Sequence, residues 1–206
     1  MKLTLFMMLA SVALVGGCGS SKKPAPAAPI SEPEAEPEPV AETPAPEPEA
    51  PPEPPAPKVA TAKLAPTAKS KVSGTFSFRE VEGGVEVTAD VAGLKAGDHA
   101  YHVHENGDCS AKDGSSAGGH FNPGGHPHGA PDAEHRHEGD LGNLTAGKNG
   151  KATKTIVMKG ITLGDDATSI MGKAMIVHEK KDDFKTQPTG NAGGRLACGV
   201  IEASTP

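Results

Sequence analysis

The chain has 206 residues, with 20 Lys+Arg against 26 Asp+Glu and a formal net charge of −6, so no basic excess is available for a polyanionic partner. It contains no Trp and a single Tyr, and no basic stripe is interleaved with aromatic residues, which excludes the usual nucleic-acid surface. There is no internal repeat and no helical period of useful length.

The first element in chain order is a signal-peptide pattern. Met1-Lys2 is followed by the apolar run Leu3–Val15, which is too short to span a bilayer as a mature anchor. It ends in Leu14-Val15-Gly16-Gly17-Cys18, and small residues directly before a cysteine resemble a bacterial lipoprotein signal. Residues 1–17 are then expected to be cleaved, leaving Cys18 as a lipidated N-terminus that anchors the chain to a membrane of the cell envelope, on its periplasmic or outer surface. Plain secretion is the alternative.

Residues 18–68 read as a disordered Pro/Glu/Ala-rich tether. Fifteen of the 20 prolines lie between Pro24 and Pro66, interleaved with alanines and eight glutamates. Such a segment buries too little apolar surface to offset its ordering entropy. It is expected to be extended and polyproline-like, with a reach on the order of 150 Å at ~3.1 Å per residue. A spacer and a dispensable insert both fit that composition.

From residue 69 to 206 the pattern becomes that of one β domain. Lys71–Phe78 and Val85–Val91 alternate apolar and polar residues, and Glu82-Gly83-Gly84 between them reads as a hairpin turn. Further strand-like runs are His99–His104, Ala152–Met158, Lys173–His178 and Ala197–Glu202. Short strands separated by Gly and Asn/Asp clusters predict a sandwich or barrel. The stretch from Glu105 to about Asp140 is too long for an inert loop.

That stretch carries metal-ligand chemistry. His102 and His104 are two apart on a predicted strand, so their imidazoles share one face. His120, His128, His137 and Asp140 follow in a Gly- and Pro-rich run, and His178 lies downstream. Imidazole suits copper and zinc, and one carboxylate among histidines suits zinc. Seven such residues exceed the needs of one four-coordinate ion, so two metals are expected.

The segments Tyr-His-Val-His-Glu-Asn-Gly-Asp (101–108), Ala-Gly-Gly-His-Phe-Asn-Pro (117–123), His-Glu-Gly-Asp-Leu-Gly-Asn (137–143), Ile-Val-His-Glu-Lys (176–180) and Gly-Asn-Ala-Gly-Gly-Arg-Leu-Ala-Cys-Gly-Val-Ile (190–201) resemble the copper/zinc superoxide dismutase family. They occur in the family's order with near-family spacing, and the resemblance spans essentially all of residues 71–204. It implies an all-β, eight-stranded Greek-key barrel with two long functional loops. It also implies dismutation of superoxide, the substrate, to oxygen and hydrogen peroxide at a copper centre supported by zinc.

Residue by residue, the resemblance implies copper on His102, His104, His120 and His178, and zinc on His120, His128, His137 and Asp140. His120 would bridge the two ions and carry a proton in turnover. Asp182 matches a carboxylate that accepts hydrogen bonds from His102 and His128, although in a Lys-Lys-Asp-Asp run it also reads as a solvated charge. Arg195 matches an anion-guiding arginine, and a structural ion-pair partner is its plainer reading. Thr189 matches a residue that narrows the channel. Cys109 and Cys198 match the family's intrasubunit disulfide. His99 matches a packing position, and His126 and His135 match no ligand position and are expected to be exposed.

Some features depart from the animal pattern. The stretch 183–189 is short and lacks an acidic pair, so steering would fall to Arg195 with Lys180, Lys181 and Lys185. Cys109 lies eleven residues before His120, further upstream than in animal members. The resemblance leaves a homodimer open without fixing it. The competing class is a non-catalytic copper/zinc-binding envelope lipoprotein.

Overall fold

The structure is a computed structural model that describes residues 58–204. The signal segment, Cys18 and the tether as far as residue 57 lie outside the described residues. Eight strands follow in order: β1 Val59–Pro66, β2 Ser73–Val81, β3 Gly84–Ala92, β4 Gly97–His104, β5 Asp140–Ala146, β6 Ala152–Met158, β7 Ala174–His178 and β8 Arg195–Ala203. The 3-10 turn Ser115–Ala117 lies between β4 and β5.

All strand pairs are antiparallel, in the order β5-β4-β7-β8-β1-β2-β3-β6, and the sheet curls into a nearly closed barrel. β3 to β4 and β6 to β7 cross over intervening strands, as in a Greek key. The inward positions of successive strands form one core that includes Phe76, Phe78, Val85, Val87, Leu141, Leu144, Met175 and Ile201. The predicted hairpin is present with the two-residue turn Glu82-Gly83, since Val81 pairs with Gly84. Gly83 adopts φ +86°, which L side chains rarely adopt, and a Cβ on Gly84 would collide with the carbonyl of Met158.

The expected boundary at residue 69 is corrected. β1 occupies residues that composition had assigned to the tether, and it lies inside the sheet between β8 and β2. Its inward positions are Ala60, Ala62 and Leu64, all buried. The alternation is therefore real, but alanine at every other position looks like the Ala/Pro composition that precedes it. Pro66 is tolerated because it is the last residue of the strand. β5 is a further strand that the sequence pattern hides, because Gly142 and Asn143 interrupt a short run directly after the metal-ligand loop.

Two connections matter for the site: residues 105–139 between β4 and β5, and 179–194 between β7 and β8. The first is tied to β8 by a disulfide between Cys109 and Cys198, 89 residues apart in sequence. It also returns to the barrel through backbone bonds, with Phe121 N–H donating to the Val103 carbonyl at 2.8 Å and Gly139 N–H to the Phe121 carbonyl at 2.9 Å.

Candidate metal centre

β4 shows how the site is placed. Tyr101 and Val103 point into the barrel core, so His102 and His104 point to the opposite face, and there the long loop covers them. His178 ends β7, which pairs with β4, and Asp140 begins β5 opposite His102. The loop brings His120 alongside His104 as an isolated bridge.

Two groups of potential ligands result: His102, His104, His120 and His178, and His120, His128, His137 and Asp140. All seven side chains are buried, and the donor atoms within each group lie within 4.8 Å of one another. These are the two sets implied by the resemblance, with His120 common to both.

Hydrogen bonds decide which nitrogen each ring presents. His102 Nε2–H donates to Asp182 Oδ2 at 2.8 Å, and His128 Nε2–H donates to Asp182 Oδ1 at 2.8 Å. That leaves Nδ1 of His102 as a lone-pair donor, buried with no hydrogen-bond partner, while Nδ1 of His128 points inward and lies 3.0 Å from Asp140 Oδ1. His104 Nδ1–H donates to the Gly118 carbonyl at 3.0 Å, which leaves Nε2 facing His178 Nε2 at 3.3 Å. His120 differs from these. Its Nδ1 lies 2.8 Å from Asp140 Oδ1 and 3.3 Å from His137 Nδ1, while its Nε2 is buried and unpartnered. Each nitrogen of His120 is thus available to a different set.

In the second set Asp140 Oδ1 lies 2.8, 3.0 and 3.3 Å from nitrogens of His120, His128 and His137. Oδ2 turns away and accepts the backbone N–H groups of Gly129 at 3.1 Å and His137 at 3.0 Å. The carboxylate is therefore held with one oxygen aimed inward.

Burial holds His104 and His178 well below the ordinary imidazole range and pulls His102 down against the opposing effect of Asp182. Burial likewise takes His120 to about 4 despite Asp140. His128 is also desolvated, but Asp140 and Asp182 together outweigh that and raise it to about 9. Burial alone would raise Asp182, yet the hydrogen bonds from His102 and His128 bring it to about 2. Most of these rings are neutral at pH 7, as metal ligation requires.

Arg195 opens β8 opposite His178, half-buried, and spans two loop carbonyls: Nη1–H donates to Gly114 at 2.7 Å and Nη2–H to Gly118 at 2.6 Å. A cavity of about 590 Å³ reaches Arg195 along Lys69, Lys112, Asp113 and Glu179. Thr189, Lys180, Lys181 and Lys185 are exposed on the 179–194 loop. His99 is buried, with its ring nitrogens 2.9 Å from the carbonyls of His178 and Lys95, so it supports the backbone of a ligand. His135 is exposed as expected, whereas His126 is half-buried.

Sequence reasoning missed the residues that hold this frame. The Asn143 side chain accepts the N–H of Asp182 at 2.7 Å and donates to its carbonyl at 3.1 Å. Gln187 does the same for His128, at 2.8 and 2.9 Å. Arg136 fixes the ligand loop through the carbonyls of Pro131, His137 and Lys159. Gly190, at φ +66°, passes so close to Asp182 and His128 that a Cβ would collide with both. A polar side chain that clamps a distant backbone leaves no spacing signal in a single sequence.

The family model described as copper/zinc superoxide dismutase (SODC) matches residues 72–201. That match covers β2 to β7, β8 as far as Ile201 and every ligand position described above, and the chain belongs to the copper/zinc superoxide dismutase family.

Proposed function

We propose that the protein dismutates superoxide in the bacterial cell envelope, with copper held by His102, His104, His120 and His178 and zinc by His120, His128, His137 and Asp140. The observation that carries this is His120, whose two ring nitrogens serve two buried ligand sets. Asp140 Oδ1 faces the nitrogens of His120, His128 and His137 at 2.8, 3.0 and 3.3 Å, and three imidazoles with one carboxylate make a ligand set that suits zinc. The all-imidazole set suits copper. Copper bound there supplies the one-electron couple by which two superoxide anions and two protons become oxygen and hydrogen peroxide.

The chain's own residues do the rest. Arg195 presents a fixed, half-buried guanidinium that draws the anion toward the first set. His120 holds and releases a proton at Nε2, while Asp140 fixes the orientation of its ring. Asp182 keeps His102 and His128 in the tautomers that point Nδ1 inward. Thr189 and the three loop lysines border the approach. The location rests on the lipoprotein-like segment ending at Cys18 and is supported by the disulfide, which persists in oxidising compartments.

The test is to load the full chain with copper and zinc, then measure metal content and superoxide consumption in one sample, before and after copper is stripped. One copper and one zinc per chain with activity lost on stripping supports the enzyme. Both metals bound without copper-dependent consumption would instead support a non-catalytic metal-binding lipoprotein. For the anchor, Cys18→Ser should move the protein from the detergent phase to the aqueous phase, and no change would refute lipidation at Cys18.

A further inference from the structure

His104 ends β4 and is followed by Glu105, a residue to which the site described so far gives no part. Glu105 meets both polar backbone groups of Gly119. Its own N–H donates to the Gly119 carbonyl at 3.0 Å, and its Oε1 accepts the Gly119 N–H at 2.8 Å. Asn106 continues the grip: its N–H donates to the Ala117 carbonyl at 3.0 Å, and its side chain to the Ser116 carbonyl at 3.3 Å. The end of β4 is thus tied to the segment that delivers His120.

The tie falls on one particular peptide. The Gly119 N–H and the Gly118 carbonyl belong to a single plane, and in a trans peptide they point in opposite directions. Holding the N–H therefore aims the carbonyl. That carbonyl accepts His104 Nδ1–H at 3.0 Å and Arg195 Nη2–H at 2.6 Å. A hydrogen bond at one end of a peptide also polarises it and strengthens the acceptor at the other end. The local chain supplies little restraint of its own, because glycines stand on both sides of the plane and Gly118 adopts φ +74°. A Cβ on Gly118 would stand 2.6 Å from Glu105 Oε1, so the carboxylate packs where a side chain would have to go.

We propose that Glu105 is a positioning residue for the first ligand set: through the Gly118–Gly119 peptide its carboxylate aims the ring of His104 and seats the guanidinium of Arg195. Asp182 orients His102 by direct contact, and Glu105 does the same for His104 through one intervening peptide. Its effect on turnover rests on the superoxide reading given above, whereas its effect on metal binding does not. Glu105 is exposed, so removing it leaves no unpaired charge in the interior.

The test uses the full chain loaded with copper and zinc, as parent, Glu105→Ala, Glu105→Gln and Glu105→Asp. Copper(II) electron paramagnetic resonance, chelator competition for each metal and superoxide decay are measured on the same preparations. Glu105→Ala should change the copper(II) hyperfine splitting and lower both copper affinity and kcat/KM on the order of tenfold, with a smaller effect on zinc. Glu105→Gln keeps an oxygen in reach of the Gly119 N–H and should recover most of both losses. Glu105→Asp is one methylene too short for that contact and should resemble alanine; it carries the test if the alanine variant does not fold. A copper spectrum and affinity like the parent's in Glu105→Ala or Glu105→Asp overturns the proposal, and so does a loss in Glu105→Gln as large as in alanine. If the parent binds both metals and consumes no superoxide, the functional reading fails, and the spectra and affinities still decide the role of Glu105.

Discussion

Arg195 and His104 donate to the same carbonyl oxygen, that of Gly118, at 2.6 and 3.0 Å. The guanidinium therefore also braces the peptide that orients an imidazole of the first ligand set. Arg195→Met should lower kcat/KM by on the order of tenfold and flatten its dependence on ionic strength, because the fixed charge is gone. Arg195→Lys keeps the charge but cannot span both Gly114 and Gly118, so it should retain the salt dependence at a reduced rate. Stopped-flow superoxide decay across a salt series checks both, and an unchanged slope in the methionine variant would remove Arg195 from steering.

Asp182 links the two ligand sets through His102 and His128. Asp182→Asn replaces an oxygen acceptor with an amide and frees one ring to flip. The expected result is a 10–100-fold loss of metal affinity, read by chelator competition. Affinity within twofold of the parent would show that packing alone orients these rings.

The two sets should respond separately to removal of a ligand used by one only. His178→Ala is expected to abolish activity through copper loss while leaving the fold mostly intact. Asp140→Ala should mainly reduce zinc occupancy and melting temperature, since Asp140 Oδ2 also holds the N–H groups of Gly129 and His137. Equal copper loss in the Asp140 variant would undermine its assignment to zinc.

The Cys109–Cys198 bond closes a loop with a sequence separation of 89. In the chain-entropy model that is worth about 4–5 kcal/mol, and measured effects often fall below the model value. Cys109→Ser/Cys198→Ser should lower the denaturant midpoint of the metal-free protein and steepen the slope, because the unfolded chain without the cross-link exposes more surface. A midpoint identical to that of the oxidised parent would mean that the loop is held by its other contacts.

Without metal, stability should peak near neutrality. Between pH 6.5 and about 4 the unfolded chain binds a proton at His120 that the folded protein refuses, so stability falls as pH drops through that window. His102, His104 and His178 act in the same direction. His128 acts oppositely: its contribution is complete below 6.5 and is lost as pH rises through about 9. Asp182 contributes above 3.8 and loses that only as pH falls through about 2, below the range of interest. Melting temperature of the metal-free protein against pH checks this, and a value that climbs from neutrality toward pH 4 would contradict neutral burial of these rings.

The sequence by itself determined the chemistry and most of the strands. His102 and His104 declare a shared face through their spacing of two, and the large side chains of β2, β3 and β6 make their alternation visible. It did not reveal β1, whose buried positions are mostly alanine, or β5, which is interrupted by Gly142 and Asn143. Only the tertiary structure decided which nitrogen each imidazole presents, because that depends on acceptors far away in the chain: Asp182 lies 80 residues from His102 and 54 from His128. It also decided that Arg195 braces Gly118 and that His126 meets His135 on the outside of the ligand loop. A residue's type and local period are written in the chain, whereas its hydrogen-bond partner is fixed only when the folded barrel brings distant loops together.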